Sequence, residues 1–226
     1  MSPGALTRFV GILRCSRTRL DQAARAAEPT RKTSVNLCDG EIRVGPVSSD
    51  EGDPPHPVPD DKDWTWVLEH PCPDCGFVAG GLSREAIAAE ILASTPRWQS
   101  ALRRADAAVR PEPETWSVLE YACHIRDVHT IFATRARLIL DEDNPEFENW
   151  DQDATAVEHR YWEQRAEVVA GELDEAARHA AAAFSGLSPA QWSRVGRRSN
   201  GSVFTTETLG RYYLHDVAHH LYDVGA

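Results

Sequence analysis

The sequence predicts an all-α protein, a four-helix bundle with a long crossover before its last helix. Two observations indicate this fold. Apolar residues recur at spacings of three and four along four segments after residue 83, as on the buried face of amphipathic helices. The third and fourth of these segments are separated by a long connection rich in Gly, Arg and Ser. With 226 residues, 42% of them hydrophobic, the chain can bury one such core and still carry an extension.

The chain divides into three parts. Residues 1–63 are expected to be a disordered N-terminal extension, because an Arg-rich start with a poor apolar face leads into an acidic, Pro-rich linker. Such a start is also typical of a transit peptide, and a mobile tail is the interpretation that we favour. Residues 64–82 are expected to form an extended arm, since apolar and polar residues alternate where it begins. The bundle should occupy residues 83–226.

Charge and cysteine content restrict the partners and the location. The formal net charge is −11 at pH 7 and there is no basic stripe, so nucleic acid is not an expected partner. A membrane partner is not expected either, because no apolar run approaches the roughly 18–20 residues of a membrane span. The 5 cysteines are an odd number and no secretory leader precedes them, which indicates a reducing, cytoplasmic location. A small-molecule substrate is expected only on the family resemblance given below.

The arm contains the sequence His70-Pro-Cys72-Pro-Asp-Cys75-Gly76, which three kinds of structure would explain. Cys-x-x-Cys followed by Gly is half of a zinc knuckle, and a four-ligand zinc site would need His70 or donors from distant parts of the chain. A redox-active pair is the second alternative, although the βαβ context of a thioredoxin-like motif is missing. The third is a tight turn with two ordinary thiols.

Four helices follow from the periodicity and from the residues at their N-termini. The first begins near Ser83 and should be kinked or divided at Pro96. Thr115 is expected to cap the second, whose apolar stripe continues for several turns. The third is predicted from about residue 155 to residue 184. Thr205 lies at the start of the fourth helix, which runs to the C-terminus.

Histidines on the second and fourth helices are candidate metal ligands. His215 and His219 are four residues apart, so on a helix both imidazoles lie on one face, where they can bind one divalent ion. A solvated helix face is the alternative explanation of this pair. His124 lies near the apolar stripe of the second helix, as either a satisfied core residue or an inward-pointing ligand. His220 points roughly 100° away from His219 and is expected to be a non-ligand, as a hydrogen-bonding partner, and it would replace a predicted ligand only if the helix faced differently.

The second and fourth helices resemble those of the DinB-like superfamily. The resemblance rests on Trp116-Ser117-Val-Leu-Glu120-Tyr-Ala-Cys-His124-Ile-Arg-Asp127 and on His215-x-x-x-His219-His220, and it covers about residues 80–226. It implies a bundle in which three histidines hold a divalent metal, and these map to His124, His215 and His219. Zn²⁺ is the expected ion, with Ni, Fe and Mn as alternatives. The part of the chain before residue 83 lies outside the family's compact pattern.

The resemblance also implies an activity. Members with an assigned reaction are thiol-dependent: mycothiol-dependent maleylpyruvate isomerase, mycothiol and bacillithiol S-transferases, and the bundle domain of sulfoxide synthases in ergothioneine biosynthesis. The Ala- and Arg-rich composition would suit a high-GC actinobacterium, where mycothiol is the usual thiol. We therefore expect a metal-dependent S-transferase or isomerase that uses a low-molecular-weight thiol such as mycothiol. The alternative is a non-catalytic metal-binding bundle, as a stress-linked or structural homodimer.

The chemistry expected at the three-histidine site follows from its ligands. Three neutral imidazoles leave an open position on the ion, and a thiol that enters it loses its proton because the cation stabilises thiolate. Asp127 and Arg126 are the candidate catalytic side chains. Asp127 and Asp216 are the carboxylates available to orient an imidazole, or either is a solvated helix charge, which is the interpretation that we favour for Asp216. The candidates for lining the thiol or substrate pocket are Trp150, Tyr213 and Arg211.

Overall fold

The computed structural model describes residues 57, 59 and 62–226, all within one compact unit that spans Glu51–Ala226. The disordered extension predicted for residues 1–63 lies almost wholly outside the described residues. The described part contains the helices α1 (Ile87–Leu102), α2 (Val118–Asp141), α3 (Gln152–Glu158), α4 (Ala166–Ala183), α5 (Pro189–Trp192) and α6 (Thr206–Asp223), and the strands β1 (Glu146–Phe147), β2 (Val195–Arg198) and β3 (Val203–Thr205).

The four long helices form a bundle, as predicted. Helices α1 and α2 each pack mainly against α4 and α6, so α1 and α2 stand diagonally across the bundle although they are consecutive in the chain. Large side chains fill the space between the helices, among them Trp98, Tyr161, Phe184 and Tyr213. No helix in the described residues is long and apolar enough to span a bilayer.

Helix α1 continues through Pro96 as one helix, so of the kink or division predicted there the division does not occur. Proline cannot donate a hydrogen bond to the carbonyl four residues earlier, which here belongs to Leu92. The side chain of Leu92 is exposed, so that carbonyl lies on the solvent side of the helix, where water can satisfy it.

Helix α2 begins with a capping box at Ser117, and not with Thr115 as predicted. The Ser117 hydroxyl accepts a hydrogen bond from the backbone N–H of Glu120 at 3.2 Å, and the Glu120 carboxylate accepts one from the N–H of Ser117 at 2.8 Å. Arg110 pairs with the same buried carboxylate, with Nε at 2.9 Å from Oε2. Glu120 therefore fixes where α2 starts.

The third predicted helix, from about residue 155 to residue 184, is wrong as a single element. It is split into α3 and α4 by a left-handed residue, Arg160 (φ 46°), and by a 3-10 turn over Tyr161–Glu163. The reason is Tyr161, whose ring is buried and whose hydroxyl donates to Asp127 on α2. A continuous helix would not turn the chain so that this side chain enters the core.

The long crossover between α4 and α6 is present and contains structure that periodicity did not indicate. Strand β2 pairs in parallel with β1 and antiparallel with β3, which makes a small sheet of order β1-β2-β3. Gly196 of β2 lies against Ile139 of α2, where a Cβ atom would come within 2.5 Å of the Ile139 Cγ1. The sheet is thus seated directly on α2.

The segment predicted to be an extended arm, residues 64–82, is instead folded, and we call it the N-terminal arm. It starts with a 3-10 helix over Trp64–Leu68, whose first turn is capped by Asp63 through a 3.0 Å bond from the N–H of Thr65. This helix packs against α6 and buries Val67 completely. The segment therefore forms a 3-10 helix that buries Val67, and it does not form the extended arm that was predicted.

Candidate metal centres

Helix α6 presents two overlapping pairs of potential ligands. His215 and His219 form one pair at i, i+4, and Asp216 and His220 form a second pair displaced by one residue, about 100° around the helix. Each pair meets donors from a different part of the chain. The His215/His219 pair lies near Cys72 and Cys75 of the N-terminal arm, and the Asp216/His220 pair lies near His124 of α2.

This arrangement corrects the predicted ligand trio. His124, His215 and His219 were expected to share one ion, but the structure distributes them over two groups. The physical reason is the phase of α6: packing turns Asp216 and His220 towards α2, and it turns His215 and His219 towards the arm. His220, considered above as the residue that would replace a ligand, takes the place next to His124.

The first group, His124–Asp216–His220, lies between α2 and α6, with donor atoms within 4.8 Å of one another. The Nε2 of His220 is 3.2 Å from Oδ1 of Asp216, and the Nε2 of His124 is 3.6 Å from the same oxygen. His124 is 0% exposed, and neither of its ring nitrogens has a hydrogen-bond partner in the described part of the chain. A buried imidazole without partners is costly unless another species satisfies it.

The charges in this group follow from burial and from two carboxylates. Burial lowers the pKa of His124, and the neighbouring Asp216 only partly offsets this. Burial lowers the pKa of His220 as well, but hydrogen bonds to Asp216 and Asp223 outweigh it and raise the pKa to about 9. Burial raises the pKa of Asp216, but the neighbouring His124 and His220 lower it by more than burial raises it. The net pKa is therefore well below the usual range. Without a metal, the group therefore holds a neutral His124, an ionised Asp216 and a protonated His220.

A carboxylate and an aromatic ring hold these imidazoles in place. The Nδ1 of His220 is 2.8 Å from Oδ2 of Asp223, which leaves Nε2 facing Asp216. Trp150 stacks on His124 with ring centroids 5.3 Å apart and planes at 7°, and its indole N–H donates to the Thr155 hydroxyl at 2.7 Å. Trp150 was predicted to line a pocket, and the structure places it in the cavity wall.

Both groups border one cavity of about 600 Å³. Its polar lining has more carboxylates than cations: Asp63, Asp74, Glu114, Asp151, Asp153, Asp216 and Asp223 against Lys62, Arg198 and the protonated His220. This lining favours metal cations and uncharged or cationic molecules over anions.

The second group, Cys72–Cys75–His215–His219, joins the N-terminal arm to α6. Its four donor atoms also lie within 4.8 Å of one another, and the Cys72 Sγ is 3.6 Å from the Nδ1 of His219. Burial raises the pKa of Cys75 to about 11, and burial together with the neighbouring His219 lowers the pKa of His215 to about 4. His70, the other ligand considered for this turn, is not part of the group.

Arg126 and Asp127, the predicted catalytic residues, are not in the cavity lining. Arg126 pairs with Asp127 through a 2.8 Å contact from Nε and with Glu172 of α4 through a 2.8 Å contact from Nη1. Asp127 also accepts the hydroxyl of Tyr161. The two side chains thus connect α2 to the 3-10 turn and to α4, and their catalytic role stays a prediction.

Tyr213 and Arg211, two of the predicted pocket residues, lie elsewhere as well. Tyr213 is fully buried in the core and shares a hydrogen bond with the Nδ1 of His129. Arg211 donates to the backbone carbonyl of Leu82 at 2.9 Å and pairs with Glu207 at 2.8 Å. Arg211 therefore attaches the end of the arm to α6, and neither side chain belongs to the cavity wall.

Comparison with known proteins supports the fold. A sequence model described as the DinB superfamily matches residues 105–224. The solved structure of YfiT from Bacillus subtilis, described as a probable metal-dependent hydrolase with an unusual four-helix bundle topology, is similar at a TM-score of 0.56 and 17% identity. That similarity covers 63% of this chain and 85% of the YfiT chain. No curated protein matches significantly.

Proposed function

This chain belongs to the DinB superfamily, whose sequence model covers more than half of it, and we propose that it is a divalent-metal-dependent enzyme. In this proposal the ion is held by His124, Asp216 and His220, and the enzyme activates a low-molecular-weight thiol for S-transfer to, or isomerisation of, a small electrophile. The observation that carries the proposal is His124, a buried imidazole without hydrogen-bond partners that faces Asp216 and His220, two side chains that line the cavity.

The residues present fit a catalytic ion. Two imidazoles and one carboxylate are a donor set that proteins use for Zn²⁺ and for Fe²⁺, and three protein ligands leave a position for substrate. Asp223 supports the assignment, because a carboxylate on the far nitrogen of a ligating histidine fixes its tautomer and its ring plane. Ni and Mn remain alternatives to Zn and Fe for this centre.

The ion would activate the thiol, and the side chains around the cavity would orient and select the substrates. A divalent cation held here would lower the pKa of a thiol that reaches it, which supplies a thiolate at neutral pH. The protein contributes orientation and selection. Trp150 covers one face of His124 and keeps water from it. The acidic lining disfavours anionic thiols, so an uncharged thiol such as mycothiol fits better than a negatively charged one.

Hydrolysis is the second candidate, and the similarity to YfiT favours it, since that protein is described as a probable metal-dependent hydrolase. The same ligand set suits the activation of water. A non-catalytic bundle braced by metal is favoured only by the Cys72–Cys75–His215–His219 group, in which four protein donors would close the ion's shell. The cavity lined by Asp216 and His220 argues for an enzyme.

The test uses the full chain, purified without added metal, as wild type, His124→Ala and His220→Ala, with His179→Ala as a control on the exposed face of α4. Metal content is measured per chain, and mycothiol conjugation of chlorodinitrobenzene and maleylpyruvate isomerisation are assayed after metal is restored. We expect both cavity variants to lose one equivalent of metal and the thiol-dependent rates, while His179→Ala keeps both. Full metal content in His124→Ala would refute the ligand assignment. Accelerated ester or amide hydrolysis without any thiol reaction would favour the hydrolase.

A further inference from the structure

We infer that Cys72, Cys75, His215 and His219 form a second metal centre, a closed structural zinc site that ties the N-terminal arm to α6. The donors come from two places far apart in the sequence, a Cys-x-x-Cys turn and an i, i+4 histidine pair, and they converge within 4.8 Å. Two sulfurs and two imidazole nitrogens are a donor set that proteins use for structural Zn²⁺. The inference does not depend on the function proposed for the His124 group.

One distance can be compared directly with a zinc centre. With Zn–S near 2.3 Å and Zn–N near 2.0–2.1 Å, a tetrahedral centre separates a sulfur from a nitrogen by about 3.6 Å. The Cys72 Sγ and the His219 Nδ1 are 3.6 Å apart. These two atoms are already spaced as two ligands of one tetrahedral ion would be.

The turn that carries the two cysteines is shaped by its own backbone. The N–H of Gly76 donates to the carbonyl of Cys72 at 3.0 Å, and the N–H of Cys72 donates to the carbonyl of Phe77 at 2.9 Å. Gly76 adopts φ +73°, a backbone conformation that favours glycine. A Cβ atom there would meet nothing within 4 Å, so the preference comes from the backbone conformation and not from a steric clash. The glycine after the second cysteine therefore closes the turn and keeps both thiols on the side of α6.

The burial of the group indicates a ligand. Cys72 is 1% exposed and His215 is 3% exposed, and the Nε2 of His215 has no hydrogen-bond partner among the described residues. Trp64 covers both imidazoles, with ring centroids 5.4 Å from His215 and 5.0 Å from His219. Two thiols that form no disulfide and one unpartnered imidazole nitrogen lie together beneath an indole ring, and one zinc ion would bind all of them.

The site is structural because four protein donors leave a tetrahedral zinc ion no place for substrate. Its sulfur ligands select zinc over the hard cations Mg²⁺ and Ca²⁺. Trp64 and Asp74, which belong to the arm, line the cavity. The centre therefore holds one wall of the cavity in place, while the His124 group lies on the neighbouring face of α6.

The test replaces the native metal of the full chain with Co²⁺. Thiolate ligands give Co²⁺ a charge-transfer band in the near ultraviolet, and tetrahedral coordination gives intense visible bands. We expect Cys75→Ser to lose the charge-transfer band and one equivalent of metal, whereas Cys123→Ala, which changes a thiol outside the group, keeps both. His124→Ala should lose metal but keep the band, so this inference and the proposed function can fail separately. Absence of the band in the wild type would overturn the inference.

A second measurement on the wild type covers the case in which Cys75→Ser does not fold. The protein is alkylated with and without a zinc chelator, and the modified peptides are identified by mass spectrometry. We expect the chelator to increase alkylation of Cys75, which is only partly buried. Equal alkylation under both conditions, or recovery of Cys72 and Cys75 as a disulfide, would show that the pair does not hold zinc.

Discussion

At the scale of single residues, Asp127 shows how a charge predicted to be catalytic stabilises the bundle. Burial raises the pKa of this carboxyl, but hydrogen bonds from Arg126 and Tyr161 outweigh it, and the net pKa is below the usual value. Because the folded pKa is lower than the unfolded pKa of about 3.9, the ionised group contributes stability above that pH. This contribution is lost as the pH falls through the folded pKa.

The prediction concerns Asp127→Asn. We expect the variant to be less stable than the wild type by about 1–2 kcal/mol at pH 7, since the Tyr161 hydroxyl and Arg126 lose their charged partner. The difference should begin to shrink below about pH 4, because the carboxyl of the unfolded chain becomes protonated there, and it should vanish once the pH has fallen below the lower folded pKa. Urea unfolding at a series of pH values measures both effects, with the exposed Asp143→Asn as the control. A stability difference that stays constant down to pH 2 would contradict this account.

At the scale of elements, close packing between α6 and its neighbours leads to a second prediction. A Cβ atom at Gly210 would lie 2.8 Å from the Ile87 Cδ1 and 3.1 Å from the Phe184 Cε1. Gly210→Ala should therefore destabilise the fold by about 1–3 kcal/mol through overpacking. Gly171→Ala on α4, where a Cβ meets nothing within 4 Å, should stabilise it by about 0.5–1 kcal/mol. Urea unfolding of both variants checks the signs, and a stabilising Gly210→Ala would show that α1 yields at this contact.

The helices also show which features of the structure could be predicted from the sequence and which could not. Helices α2 and α6 were predicted because apolar periodicity is a local signal, and these helices carry His124, His215 and His219. The pairing of ligands was not predictable, because His215/His219 and Asp216/His220 have the same spacing and only packing sets the phase of α6. The link between Cys72 and His219 joins residues 147 positions apart, and no local pattern encodes such a contact.

At the scale of the whole molecule, the two centres predict that metal contributes to stability. Ligands that bind only the folded chain stabilise it by about 2.7 kcal/mol when present at a hundred times their Kd. For a chain of this size, that corresponds to a fall in Tm of about 5–10 °C after the metal is removed. Calorimetry before and after treatment with a strong chelator, followed by re-addition of Zn²⁺, measures the change. An unchanged Tm would mean that neither centre holds metal in the folded protein.

Asp223 lies close to one histidine of each group and so connects the two groups. One of its oxygens lies 2.8 Å from the Nδ1 of His220, and the other lies 3.9 Å from the Nε2 of His219. An ion that engages His219 changes the field at a carboxylate that also orients His220. Metal loading at the two positions is then one linked equilibrium, in which each ion alters the affinity for the other by the same factor. Under the two proposals above, the N-terminal arm would influence the metal affinity of the His124–Asp216–His220 group without contributing a ligand to it.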